Sequence, residues 1–337
     1  MRDAREKLIA VTVTYGRRWN HLRPVLAALE SEAGVDEVVV VDNGSSVSID
    51  EEANRAGFSK HTVITLPRNR GSATGFRIGI ETAINRRAAW VWLLDDDNQP
   101  RDDTLHVLSQ EYAEQRNCAA ADGLAVLAYR PNHQFDVATE GSGRRLNKRR
   151  DSFHGFHLID LPHKIWRRRS WARQPATRNM AQTLQLDEAP YSGLLFRREL
   201  VEAIGFPNDE FVLYSDDSEF TSRITRNGGR IVLVTKAVLD DLEMSWNVER
   251  RFETSIAGIL RGRDAFRAYY SMRNGAYLDL TTRKHNGAIF ALNRFIYMTL
   301  LRVGAWMYRT PERYDVVRQA VKDGLRGRLG MNKRFPL

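Results

Sequence analysis

The sequence predicts an α/β protein: a doubly wound, mostly parallel, Rossmann-like sheet followed by a C-terminal helical region. Three observations predict it. Short β-branched apolar runs alternate with helical patterns over the first third of the chain. Three polar clusters, Thr14-Tyr15, Asp42-Asn43 and Asp95-Asp96-Asp97, stand directly after such runs. From about Val248 the pattern turns helical as far as Arg328.

Taken in order, residues 8–14 and 37–42 are β-branched apolar runs, as expected of buried parallel strands. Residues 61–66 form a weaker third strand, 90–94 a fourth and 119–127 a fifth. Helical patterns fill the gaps at 18–30, 72–87 and 103–115. Residues 129–182 are crowded with arginine (Arg144-Arg145, Lys148-Arg149-Arg150, Arg167-Arg168-Arg169 between Trp166 and Trp171) and read as a long loop or insertion. A β-like segment returns at 191–197, then a helix, a β-like 211–214, a helix at 215–227 and a strand at 230–234.

The 337 residues are 42% hydrophobic, enough to bury a large core in one or two domains. The lone cysteine, Cys118, excludes an internal disulfide, so a reducing cytoplasm is expected. The opening residues carry no signal-peptide pattern. Residues 288–308 are apolar, but Arg294 and Arg302 interrupt them, so no membrane-spanning helix is expected. Charge is uneven. Residues 1–128 hold 15 Lys+Arg against 19 Asp+Glu, whereas the remainder holds 36 against 23. A basic second half suits an anionic partner such as phosphate, a lipid headgroup or nucleic acid, or is simply a solvated face.

In doubly wound sheets ligands sit at the carboxyl ends of the strands, where the three polar clusters fall. Adjacent carboxylates at Asp95, Asp96 and Asp97 repel one another, and a buried strand end makes them costly without a cation. Mg²⁺ and Mn²⁺ accept one or two carboxylates plus phosphate oxygens. Asp95 and Asp97 alternate to one side of an extended segment and could share such an ion. An exposed acidic turn before a helix would also explain them. Asp42 can accept from a nucleoside N–H or ribose hydroxyl, or make a simple Asx turn before Asn43-Gly44. Asn69-Arg70-Gly71, with Gly75 and Gly79 in the next helix, permits close backbone approach to an anion at a helix start, although this is neither a Walker A nor a GxGxxG pattern. Asp216, Asp217 and Glu219 open a helix and cannot all face one site. One suits a general base, and the others suit N-terminal capping.

In this order these motifs resemble family 2 glycosyltransferases of the GT-A fold. The matching pieces are Thr12-Val13-Thr14-Tyr15 with Arg17, Val41-Asp42-Asn43-Gly44-Ser45, Asn69-Arg70-Gly71, Asp95-Asp96-Asp97, Ser192-Gly193 and Asp216-Asp217-Ser218-Glu219, spread over residues 8–245. The resemblance implies a division into a nucleotide-sugar-binding half (1–128), an acceptor-binding half with a basic insertion (129–247) and a helical region (248–337) that associates with a membrane or oligomerises. It implies that Thr14, Tyr15, Arg17, Asp42, Asn69, Arg70, Gly71, Asp96, Ser192, Gly193, Asp216 and Trp246 bind substrate. Asp95 and Asp97 would be the DxD ligands of Mn²⁺ or Mg²⁺, and Asp217 the base that deprotonates the acceptor hydroxyl, with inversion at the anomeric carbon. Many relatives place a histidine ligand after the strand at 230–234. Here Asp240 stands where that histidine is expected, and Asp240 is the third metal-ligand candidate.

The triple-Asp form, the Asp-Asp-Ser-Glu site and Tyr269-Tyr270-Ser271-Met272-Arg273-Asn274 are similar to bacterial galactofuranosyl- and rhamnosyltransferases. UDP-galactofuranose is the expected donor, with dTDP-rhamnose the alternative and a lipid-linked glycan of the cell envelope as acceptor. Such an enzyme would work as a cytoplasmic, peripheral protein at the inner membrane face, where Arg/Lys clusters and aromatics meet anionic headgroups. A sugar-1-phosphate nucleotidyltransferase would need a Gly-rich signature that Thr12-Val13-Thr14-Tyr15-Gly16 does not supply. A nucleic-acid-binding protein would leave the acidic triplet unexplained, and no nucleic-acid partner is expected.

Overall fold

The computed structural model describes residues 6–116, 123–132, 134, 147–162, 181–243, 255–262 and 264–337. The described chain runs β1 (Leu8–Gly16), α1 (Trp19–Ser31), β2 (Glu37–Ser45), α2 (Ile49–Arg55), β3 (His61–Leu66), α3 (Ser72–Asn85), β4 (Trp90–Asp95), β5 (Asn98–Pro100), α4 (Thr104–Arg116) and β6 (Leu124–Tyr129). It continues β7 (Thr183–Leu186), β8 (Leu194–Arg197), α5 (Arg198–Ile204), α6 (Asp216–Arg226) and β9 (Arg230–Asp241). Four helices follow: α7 (Ser255–Arg261), α8 (Ala265–Leu278), α9 (Gly287–Met307) and α10 (Pro311–Leu325).

The strands form one sheet in the order β3-β2-β1-β4-β8-β6-β9-β5, with β7 also on β9. The pairs β1–β2, β1–β4, β2–β3 and β6–β9 are parallel. β8 runs antiparallel between β4 and β6, and β5 and β7 pair antiparallel with β9. The sheet is therefore mixed rather than mostly parallel: among the described residues four pairings are parallel and four antiparallel, and the expected parallel doubly wound part is β3-β2-β1-β4.

The period of two explains why both faces are covered. Ile9, Val11, Val39, Val41, Val91 and Leu93 pack under α3, α5 and α6 through Ile80, Leu200 and Phe220. Their neighbours Leu8, Ala10, Val38, Val40, Trp92 and Leu94 pack under α1 and α4 through Leu22, Val25 and Leu108. The runs Leu8–Val11, Val38–Val41 and Val91–Leu94 in β1, β2 and β4 are unbroken and apolar because both faces of the sheet are covered there. A third core, built on Tyr269, Tyr270, Phe290, Tyr297, Leu301 and Val321, joins the C-terminal helices.

Several elements differ from the sequence expectation. α2 follows Ser48, whose side chain accepts from Glu51 N, ahead of an acidic first turn. β7 lies directly after the arginine-rich stretch, within which residues 147–162 dock on the C-terminal helices. There Asp151 accepts from the backbone of His285 and Asn286, and Phe153 packs on Phe290. Residues 211–214 are not β-like, because Val212 and Tyr214 hold left-handed backbone at φ 66° and 68°. Strand β9 runs on to Asp241, where its end pairs with β5 directly after the acidic triplet. By length and composition Gly287–Met307 could cross a membrane despite Arg294 and Arg302, although one side of it packs on α7 and α10. The clusters Arg144-Arg145 and Arg167-Arg168-Arg169, with Trp166 and Trp171, lie outside the described residues, as do 119–122 of the expected fifth strand.

Candidate active site

β2 and β3 lie on one side of β1 and β4 on the other, so the winding reverses between β1 and β4. The crevice at such a switch point is where doubly wound sheets hold ligands. Val13 pairs with Asp95 across it, and the acidic triplet begins there.

Asp96 is 4% exposed and fully partnered. Thr14 Oγ1 donates to its Oδ2 at 2.7 Å, and Arg18 Nε reaches both of its oxygens at 3.0 and 2.8 Å. The same guanidinium donates from Nη2 to Asp97 at 3.0 Å and from Nη1 to Glu243 at 2.5 Å. It also lies over the Tyr15 ring. A carboxylate this deep requires a charged, hydrogen-bonded partner, and Arg18 supplies it. Arg17, the sequence candidate, is exposed instead. The helix begins at Trp19, so its phase turns Arg18 inward and leaves Arg17 outside.

Asp95 stands apart from this clamp. Its backbone N–H donates to Ser192 Oγ at 3.1 Å, and its carboxylate is 3.6 Å from Arg130 Nη1. Ser192 is buried beneath the triplet, and Gly193 splices the sheet: its N–H donates to Leu93 and its carbonyl accepts from Ala128. Both therefore support the strand end from behind. Arg130 also donates twice to Asp241 Oδ1, at 2.9 and 2.6 Å.

The third metal candidate requires a correction. Asp240 is paired with Arg101 at 2.9 and 2.7 Å, with both side chains about half exposed. Strand alternation points the next residue the other way. Asp241 is inward, bound by Arg130 and Asn98, and its buried Oδ2 has no partner among the described residues.

Across the crevice, α6 sorts its acids. Asp216 is buried and accepts from Ser72 Oγ at 2.9 Å. Glu219 turns back onto Arg223 of its own helix at 3.2 Å. Asp217 is left partly open, with Ser218 N donating to its Oδ1 at 2.7 Å. Burial pushes Asp217 up to about 6, aided by the charge of Glu188 and opposed by the Ser218 N–H and Lys148. Burial, then Asp217, push Asp216 up to about 8. Burial likewise pushes Asp95 up to about 7, aided by Asp97, Asp96 and Asp217 against Arg130. Asp97 is raised by burial and Asp96. The strand-end acids and the helix acids therefore feel one another's charge across a single site.

The loop after β3 is structural where it meets β2. Asn43 donates to Asn69 Oδ1 and the Gly71 carbonyl and accepts from Arg70 N, while Asn69 Oδ1 also accepts from Gly71 N. Gly71 has φ 89°, and a Cβ there would lie 1.9 Å from the Val212 carbonyl oxygen, so only glycine fits. Asp42 is buried and accepts from Ser45 N at 2.7 Å, which is the Asx-turn alternative. The Arg70 side chain is exposed. Trp246 lies outside the described residues.

Sequence reasoning passed over Arg18, Arg130, Asp241 and Glu188. In the sequence Asn274 stands out only as part of the Tyr269–Asn274 resemblance. It donates to the carbonyls of Phe211, Leu213 and Tyr214, and Arg273 donates to those of Glu210 and Phe211, so α8 pins the loop that leads into Asp216 and Asp217.

Residues 9–205 match the family described as glycosyl transferase family 2. The chain is 29% identical over 224 residues to galactofuranosyltransferase GlfT1 of Mycolicibacterium smegmatis, covering 66% of this chain and 67% of that one. It is 27% identical over 225 residues to GlfT1 of Mycobacterium tuberculosis, covering 66% of each. The matches thus span about two thirds of each relative's length. Among solved structures, S. aureus TarS 1-349 in complex with UDP-GlcNAc superposes with TM-score 0.52 at 15% identity, over 94% of this chain and 80% of that one. GalNAc-T7 with UDP, GalNAc and Mn2+ gives 0.51 at 13% identity, over 72% and 45%. At these identities the likeness to solved structures is one of fold.

Proposed function

The chain belongs to glycosyl transferase family 2 and is a glycosyltransferase, and from that premise we propose that it moves galactofuranose from UDP-galactofuranose to a hydroxyl of a lipid-linked glycan, with inversion. The observation that carries the chemistry is the sorting of acids on α6. Asp216 is sealed against Ser72 and Glu219 is tied to Arg223, which leaves Asp217 as the partly open carboxylate facing the strand-end acids. A base poised near 6 is ionised at neutral pH and takes the acceptor proton as the new bond forms. The galactofuranosyltransferase relatives support the sugar, and dTDP-rhamnose is the alternative donor.

A divalent ion fits the strand-end acids. Asp95 and Asp97 are hard oxygen donors raised by burial, and the unpartnered Oδ2 of inward Asp241 offers another oxygen. Among the described residues no group of three such side chains stands in a metal-holding arrangement, and Arg18 pairs with Asp97 and Arg130 with Asp95. Mn²⁺ or Mg²⁺, when bound, would supply positive charge to the diphosphate leaving group. The protein's own part is to orient the donor: Arg18 fixes Asp96 and Asp97, and the Asn43–Asn69–Gly71 splice sets the start of α3. The acceptor places the reaction at the cytoplasmic face of a membrane.

The test is nucleoside diphosphate release from UDP-galactofuranose and from dTDP-rhamnose, with Mn²⁺ and a lipid-like acceptor. Release from the UDP sugar that vanishes in Asp217→Asn is expected. Release from neither donor, or full activity in Asp217→Asn, would sink the proposal.

A further inference from the structure

The outer face of α9 has no partner among the described residues. Ile289, Leu292, Phe295, Val303, Trp306 and Met307 are exposed along it, Phe295 at 68% and Trp306 at 82%. The opposite face is not idle: Phe290, Asn293, Tyr297, Leu301 and Ala305 are buried against the rest of the helical region. The helix is thus fixed in place by one side while its other side shows apolar residues over roughly 27 Å. Contiguous apolar patches of this kind on a soluble surface mark an interaction site.

What surrounds the face identifies its occupant. At the C-terminal end of α9 a groove of about 1080 Å³ is lined by Arg302, Trp306, Arg309, Tyr314 and Arg318, with Asp315 the acid among them, paired to Arg318 at 3.3 Å. At the N-terminal end Lys284 is exposed. Cations at both ends of an apolar stripe, with an exposed tryptophan beside them, match the interface of an anionic bilayer. A second copy seated on this stripe would set basic ends against basic ends in either direction.

We propose that α9 lies in the plane of an anionic membrane surface, its apolar face among the acyl chains and the Arg302–Arg309–Arg318 groove on lipid phosphates. This deepens, and for its purpose rests on, the reading of the acceptor as lipid-linked. Because α10 packs on both α9 and α8, and α8 holds the loop before Asp217, the docked helix and the base belong to one packed unit.

The test is sedimentation of the full chain with vesicles of phosphatidylcholine alone or of equimolar phosphatidylcholine and phosphatidylglycerol. Binding to the anionic vesicles only, released by salt, is expected. Arg302→Gln with Arg309→Gln should weaken it about fivefold per arginine, and Phe295→Ser with Trp306→Ser should abolish it. Both double variants should keep the wild-type melting temperature and wild-type nucleotide release with a water-soluble acceptor. Failure of the wild type to pellet, variants that bind like the wild type, or binding that resists both salt and alkaline carbonate, as a spanning helix would, each overturn the proposal. So does a dimer that Trp306→Ser converts to monomer with vesicle binding unchanged. A chain that binds vesicles yet releases no nucleotide leaves docking standing and removes the proposed sugar transfer.

Discussion

Arg18 Nε holds both carboxylate oxygens of Asp96, at 3.0 and 2.8 Å, where Asp96 is all but sealed from solvent. Arg18→Ala would leave that carboxylate with Thr14 alone, and breaking a buried pair costs about 3–5 kcal/mol. We expect a clear drop in melting temperature and loss of donor binding. Arg18→Lys should restore little, since an ammonium cannot fork across Asp96, Asp97 and Glu243 at once. An Arg18→Ala protein that melts and binds like the wild type would refute this role.

Asp217→Asn removes the proposed base but keeps the Ser218 N–H contact. Turnover should fall about a hundredfold to ten-thousandfold, the usual span for general-base loss, while donor affinity holds. Asp216→Asn should cost less in rate, because its oxygen is already occupied by Ser72. The reverse ranking would move the base to Asp216.

The acid limb of the rate profile should follow Asp217, with activity rising through about pH 6 as the base ionises. Glu188 adds negative charge beside it, so Glu188→Gln should move that limb to lower pH. An unmoved limb would separate Glu188 from the base.

Much of the fold was legible because both faces of β1, β2 and β4 are covered, which writes unbroken apolar runs into the sequence. The place of the candidate site was legible because its acids stand at element ends, Asp95 and Asp97 at the end of β4 and Asp217 at the start of α6. What was hidden depends on phase or distance. Arg17 and Arg18 differ only in which way the start of α1 turns them, and Asp240 and Asp241 only in strand alternation. Arg130 meets Asp241 from 111 residues away, which no local pattern encodes. α2 is readable from Ser48 and Glu51, whereas three-residue β5 carries no signal of its own.

Asp240 and Asp241 separate by substitution. Asp240→Ala breaks an exposed pair with Arg101 and should cost under about 1 kcal/mol with little change in activity. Asp241→Ala strips a buried partner from Arg130, so melting and activity should both fall steeply. Equal effects would return Asp240 to the site.

Stability should fall as pH rises. Asp95, Asp216 and Asp217 hold their protons to about 7, 8 and 6 in the fold, against about 3.9 when unfolded. The native state therefore binds more protons between about pH 4 and 8, and stability declines across that window. Mn²⁺ should raise the melting temperature near pH 8 and do little near pH 5, where protons already neutralise the acids. A melting temperature flat from pH 5 to 8, or a Mn²⁺ shift equal at both ends, would contradict this.

Asn274 supplies one amide to three carbonyls, those of Phe211, Leu213 and Tyr214. The loop it holds includes Val212, Tyr214 and Ser215, all at positive φ, a backbone that β-branched and bulky residues adopt only when their surroundings enforce it. Val212 in turn presses its carbonyl on Gly71 and accepts from Ala73 N, so one contact couples α8, the loop and the start of α3. Asn274→Ala should release the loop, lowering both melting temperature and turnover while leaving the pH of the acid limb in place. Asn274→Asp should be worse, because a carboxylate would face carbonyl oxygens with no donor between them. If Asn274→Ala kept full turnover, the loop would not need this anchor to present Asp217.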